Sequence, residues 1–189
     1  MDPRLHHLQG KAEGVAGKGQ PNVKQDELQG FLTEFAADRV ALLQRHEAGA
    51  RVVSNYDFNN TYQYVISREE THLTWLQNAL AECAAPLPPP SKTLAVPAVR
   101  PGKKVDPASF RDILDDDVVH LGAFVERWRP RIEAVTHARH RTMLNVVIGE
   151  SLEHRRLFAQ AAGGFEDLLG RRTGGVPRQG AVLPTRWME

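Results

Sequence analysis

Cysteine is almost missing from this chain: Cys83 is the only one in 189 residues. A lone thiol excludes an intrachain disulfide and a cysteine-rich zinc site. Net charge is lacking as well, since 24 Lys and Arg stand against 23 Asp and Glu, a balance of +1. That excludes a nucleic-acid binder relying on a strongly basic surface, and the one basic run, RWRPRIEAVTHARHR, reads as a solvated helix face. No apolar run approaches the ~18 residues of a membrane span, and the N-terminus shows no signal-peptide apolar region. The expectation is a cytoplasmic protein with neither a membrane nor a nucleic-acid partner.

What is present is enough for one globular domain with a core: 41% of residues are hydrophobic and 25% charged. Residues 1–24 are Gly-rich, polar and without periodicity, and read as a flexible arm. Residues 163–189, with GG, GRRTGG and two prolines, read as an irregular tail that Trp187 anchors. Between them, residues 25–162 are helical in pattern. Leu28, Leu32, Phe35, Leu42, Leu43 and Val53 recur by threes and fours, then Tyr62, Val65, Ile66, Leu73, Leu76 and Leu80. SNYDFNN separates the two runs, with Asn59 or Asn60 the expected N-cap and the turn near residue 58.

APLPPPSKTLAVPAVRPGKKVDP cannot continue a helix, so residues from about 84 to 108 form an extended crossover. About 24 residues reach roughly 75 Å when stretched, against about 38 Å for a 25-residue helix. The crossover is thus long enough to traverse a bundle. A third helix follows, with Asp106 as N-cap and Pro107 in its first turn. A fourth closes at Gly163 and Gly164. The expected fold is all-α, a four-helix bundle of two antiparallel hairpins joined by the proline-rich crossover.

Polar groups interrupt the apolar faces. In REETHLTWL, Glu69 falls at the centre of the second helix's stripe with His72 beside it, while Glu70 points outward. An inward carboxylate is costly unless it is paired or ligated. The third helix repeats the spacing with Asp117 and His120, and the fourth places Glu150 and His154 one turn apart. The first helix offers Glu47, expected to face Glu69 across the bundle. A turn between helices three and four near residue 135 brings His120 level with Glu150; a turn at Pro130 would not. Each residue also has a plainer reading, Glu47 as a surface partner of Arg51 and His120 as a hydrogen-bonded core histidine.

This arrangement resembles the ferritin-like superfamily, particularly its rubrerythrin-like and bacterioferritin-like di-iron carboxylate bundles. The resemblance covers roughly residues 26–162 and implies metal ligation by Glu69 and His72, with Glu47 in the place of the first-helix glutamate. GESLEHRRLF departs from the family pattern, since Ser151 stands where the fourth-helix glutamate belongs. The expected ligand set is Glu47, Glu69, His72, His120, Glu150 and His154, with Asp117 alternative to His120. It implies iron, two ions, although manganese or zinc suit the same donors. The function expected is an oxidoreductase acting on oxygen, peroxide, ferrous iron or a small-molecule substrate. It would be a homodimer supplied with electrons by an unknown redox partner. The alternative is a metal-free bundle whose inward polar groups satisfy one another, serving as a dimerising or protein-interaction module.

Overall fold

A computed structural model of the chain describes residues 23–99, 107–165 and 168–169. The regular secondary structure among these described residues is all helical, without a strand. Four helices, α1 (Val23–Val52), α2 (Tyr56–Glu82), α3 (Arg111–Glu133) and α4 (Ala138–Ala162), are accompanied by a 3-10 turn at Pro107–Phe110. α1 packs against α2 and α3, and α4 against α3 and α2, closing a ring of helices around one core. No helix among the described residues is long and apolar enough to cross a membrane.

The turn between α1 and α2 lies earlier than the sequence suggested. Asn55, not Asn59 or Asn60, is the N-cap: its backbone is extended and its side chain accepts from the Asp57 and Phe58 amides, both at 3.1 Å. Asn59 does a different job from inside the first turn of α2. Its Nδ2 donates to the Ala50 and Val53 carbonyls at 2.7 and 3.0 Å, satisfying acceptors that the end of α1 leaves without partners. The residue pairs Gly49–Tyr62, His46–Glu69 and Arg39–His72 then step down α1 as they step up α2.

α2 ends where Ala84 turns into the left-handed region, at φ 54°, and the Cys83 and Ala85 amides both bond the Leu80 carbonyl. From there the extended crossover lays Leu87, Leu94, Val96 and Val99 on the core, and the Ser91 amide bonds the Ala37 carbonyl of α1 at 3.0 Å. The expected cap Asp106 lies outside the described residues, as do residues 1–22 of the expected arm and Trp187 of the tail. The third helix starts later than expected, because Pro107–Phe110 winds as a 3-10 turn before α3 begins at Arg111. Pro130 sits in the last turn of α3, and the α3–α4 turn falls at 134–137, the later of the two positions weighed from the sequence.

The α1–α3 contact is aromatic, with Phe35 5.1 Å from Phe124 and 5.0 Å from Trp128, ring centre to ring centre. Arginines of the basic run are spent on acids of neighbouring helices. Arg127 and Arg131 pair with Asp38 and Glu34 at 2.9 and 3.0 Å, and Arg139 pairs with Glu82. Three of the run's five arginines thus tie neighbouring helices together from a solvated face.

Gly49 of α1 faces the Tyr62 ring of α2. A Cβ added there would lie 2.9 Å from the Tyr62 ring and 3.0 Å from its hydroxyl. Tyr62 is fully buried and tethered through its hydroxyl to Asp117, so it has nowhere to move. Gly49→Ala is expected to destabilise the protein by about 1–3 kcal/mol, as overpacking does, despite alanine's better helix propensity. Urea unfolding measures this directly; a stability equal to or above that of the parent would show that the ring yields.

Candidate metal centre

One face of each helix carries polar groups into the middle of the core. On α1 the stripe runs Leu32, Phe35, Arg39, Leu42, His46 and Gly49, a helical spacing of threes and fours. α2 contributes Tyr62, Glu69 and His72, α3 contributes Asp117, and α4 contributes Ser151 and His154; all are buried.

Glu69 is the hub. Its Oε2 accepts from His46 Nδ1 at 2.9 Å, and its Oε1 lies 3.1 Å from Arg39 Nη2. The same Nη2 approaches His72 Nδ1 at 3.0 Å. Because arginine can only donate, His72 Nδ1 must be an acceptor, which puts the imidazole proton on Nε2. That Nε2–H donates to Glu150 Oε2 at 2.9 Å, and Glu150 is gripped by Arg68 at 2.9 and 2.6 Å at the protein's edge. Arg39 Nη1 completes its contacts by donating to Ser151 Oγ at 3.1 Å, while Ser151 donates to the Val147 carbonyl at 2.7 Å.

A second cluster lies about two turns away. Arg45 Nη2 meets Asp116 Oδ2 at 3.1 Å and Asp117 Oδ1 at 3.3 Å. The other Asp117 oxygen accepts a short hydrogen bond from the Tyr62 hydroxyl. His46 Nε2 is 3.7 Å from Asp117 Oδ1, so His46 stands between the two clusters. His154 is buried beside the network, its ring stacked 6.2 Å from His72, yet neither of its nitrogens has a hydrogen-bond partner.

Protonation follows from these surroundings. Burial pushes the Glu69 carboxyl up, but Arg39 and His46 outweigh it and hold the group at about 2. Burial, reinforced by Arg39, lowers His72 to about 4 against the partial opposition of Glu150 and Glu69. Burial likewise lowers His154 to about 3, although Glu69 pulls the other way. Burial raises Asp117, with His46, Arg45 and Tyr62 resisting. Arg39 is itself lowered by burial, a cost offset by Glu69 and Glu150.

The residues expected to bind metal divide. Glu69, His72 and His154 do gather in the core, and Glu150 joins from the rim through His72. Glu47 does not: its side chain is 39% exposed and faces Arg51 at 3.8 Å. The residue that meets Glu69 is His46, and one position along a helix is a 100° rotation. His120 is also outside, paired with Asp116 at 3.2 Å on its own helix. Asp117 is inside but bound to Tyr62 and Arg45. Sequence reasoning missed Arg39, Arg45 and His46. The signal was the seven-residue gap between Phe35 and Leu42 in the apolar series, into which Arg39 falls in phase.

These residues do not fit a di-iron centre. A metal shared by Glu69 and His72 would lie about 2 Å from each donor, in the space that Arg39 Nη2 takes between Glu69 Oε1 and His72 Nδ1. Placing a dication beside that guanidinium would set like charges in contact in a dry interior. Among the described residues, no group of three or more His, Cys, Asp or Glu side chains is arranged to hold an ion.

Two outcomes are expected. Arg39→Met or Glu69→Leu alone should cost about 3–5 kcal/mol by stranding a buried charge, whereas the double variant should recover most of that loss. A urea double-mutant cycle checks this, and additive single effects would contradict the pairing. The second concerns acid. His72 and His154 are held at about 4 and about 3, below their ordinary 6.5, so the unfolded chain binds their protons first and stability falls as pH drops below 6.5. Glu69, ordinarily 4.5 and held at about 2, contributes stability above 4.5 that is lost as pH falls through 2. The urea midpoint should therefore decline across that whole range, and His154→Leu should flatten its upper part.

No protein-family model, curated protein or solved structure matches the chain.

Proposed function

We propose that the chain is a divergent ferritin-like bundle, two antiparallel hairpins joined by the crossover, in which an arginine has taken the position of the core cation. On this reading it is a metal-free module that dimerises or binds other proteins. The observation that carries the proposal is the seat of Arg39 Nη2, 3.1 Å from Glu69 Oε1 and 3.0 Å from His72 Nδ1. Glu69 and His72 are the two residues for which the family resemblance is best, and both face the guanidinium. Ser151, which replaces the glutamate of the fourth-helix motif, also accepts from Arg39. A glutamate there would bring a further negative charge; serine suits an arginine already balanced by Glu69. Support for association comes from Tyr56, 73% exposed, and Val52, 39% exposed, which flank the α1–α2 turn and offer apolar surface.

The oxidoreductase reading keeps one observation in its favour. His154 has two unpartnered nitrogens, and His46 Nε2 and Asp117 Oδ1 also lack hydrogen bonds in the same buried region. Iron there would require Arg39 to leave the core.

Elemental analysis of tag-free protein, before and after anaerobic incubation with ferrous iron, separates the two. The expected result is no stoichiometric iron, manganese or zinc. Sedimentation should show a dimer that Tyr56→Glu weakens. Stoichiometric iron, lost in a Glu69→Ala, His72→Ala variant, would overturn the proposal in favour of the oxidoreductase.

A further inference from the structure

At the other end of the bundle the start of α1, the end of α2 and the α3–α4 turn enclose a cleft of about 600 Å³. That volume lies within the range of sites for small organic molecules. Leu28, Phe31 and Val135 make it apolar on one side. On the other stand Glu82 and His140, the latter only 3% exposed.

His140 has no hydrogen bond on either ring nitrogen, and its Nε2 lies 3.4 Å from Glu82 Oε2. Burial and the neighbouring His137 and Arg139 lower its pKa against the pull of Glu82, which favours the neutral ring. Glu82 uses one oxygen on Arg139 and turns the other toward the histidine. Two helices, α2 and α3, end at this cleft and two, α1 and α4, begin at it, so the helix dipoles favour neither sign of charge. α4 begins here, but its N-terminal side is capped by His137, which accepts from the His140 amide. Arg131 also lines the cleft, yet its guanidinium is committed to Glu34 at 3.0 Å and lies 4.2 Å over the Trp128 ring. Gln25, Thr136 and His137 line the cleft as well, so it holds donors beside acceptors; what sets its charge is the pair of carboxylates in the lining, Glu27 and Glu82, which Arg131, committed elsewhere, does not cancel.

We infer that this cleft is a binding site for a small organic ammonium, an apolar aliphatic or aromatic body bearing a protonated amine. The body lies against Leu28, Phe31 and Val135, and the ammonium donates to the Glu82 carboxylate, behind which the buried His140 ring stands. The site lies away from the Arg39–Glu69 network and is independent of the function proposed for it.

Cys83 lines the same cleft and is the only thiol in the chain, so its alkylation reports on this place alone. The test follows the rate of Cys83 alkylation by iodoacetamide in the full-length protein, by intact mass, with added 2-phenylethylammonium. Phenylpropionate, of similar size and opposite charge, and neutral 2-phenylethanol are the comparisons. The ammonium is expected to protect Cys83 saturably and more tightly than either comparison. Glu82→Gln should weaken that protection about tenfold, the scale of losing one charge-assisted hydrogen bond. Circular dichroism confirms that the variant is folded. Absence of protection by millimolar ammonium, protection by the carboxylate at equal or lower concentration, or an unchanged affinity in folded Glu82→Gln would each overturn the inference.

Discussion

A guanidinium buried in the middle of a helical bundle sets the terms for everything around it. Arg39 is fully buried, and an arginine cannot escape that cost by giving up its proton under ordinary conditions. Charge must come to it. Glu69 supplies the charge, His72 and Ser151 supply lone pairs, and each comes from a specific position on α2 or α4. The helices are consequently fixed in rotation as well as in distance, since a turn of any one of them would strand the arginine. Buried ion pairs are poor sources of net stability compared with apolar packing. Here the pair's contribution is specificity of arrangement, reinforced by a second guanidinium, Arg45, which ties α1 to Asp116 and Asp117 of α3.

The network also shows how a core can hold five imidazole and carboxylate groups, His46, His72 and His154 with Glu69 and Asp117, beside two guanidiniums. His72 receives on one nitrogen and gives on the other, so it hands the polarity of Arg39 outward to Glu150 and finally to Arg68 at the surface. Positive and negative groups alternate along that line. Alternation of this kind lets charged side chains persist in a dry interior with each one's field partly cancelled by the next. His154 is the exception, buried with two unpartnered nitrogens, and it stays neutral because burial penalises the charged ring more than Glu69 favours it.

Much of the fold could be read from the sequence, and the reason is periodicity. The stripe through Tyr62, Val65, Glu69, Leu73, Leu76 and Leu80 needed only the 3.6-residue repeat, and Glu69 was found inward because it occupies an apolar position. The proline-rich stretch was equally legible, because proline denies a helix its hydrogen bonds. Residue-level register was not. Glu47 and His46 differ by a single position, and a sparse apolar series on α1 leaves that phase loose. Arg39 was hidden as well, because a long charged side chain ordinarily argues for the surface. The N-cap was misplaced for a similar reason: SNYDFNN holds three asparagines, and only the fold shows that Asn55 starts α2 while Asn59 closes α1.

That division of labour in the α1–α2 turn has an effect on what the chain can tolerate through descent. Asn55 and Asn59 bind the turn to both helix ends within a few residues, so its length is fixed at each side. Inserting or deleting one residue there would rotate one helix by 100° relative to the other, carrying Glu69 away from His46 and Arg39 together. Single substitutions in this connection are a local matter, whereas a change of length would re-phase the entire interior. Length variation among descendants of this chain should therefore gather in the crossover, whose extended backbone can absorb extra residues without turning a helix.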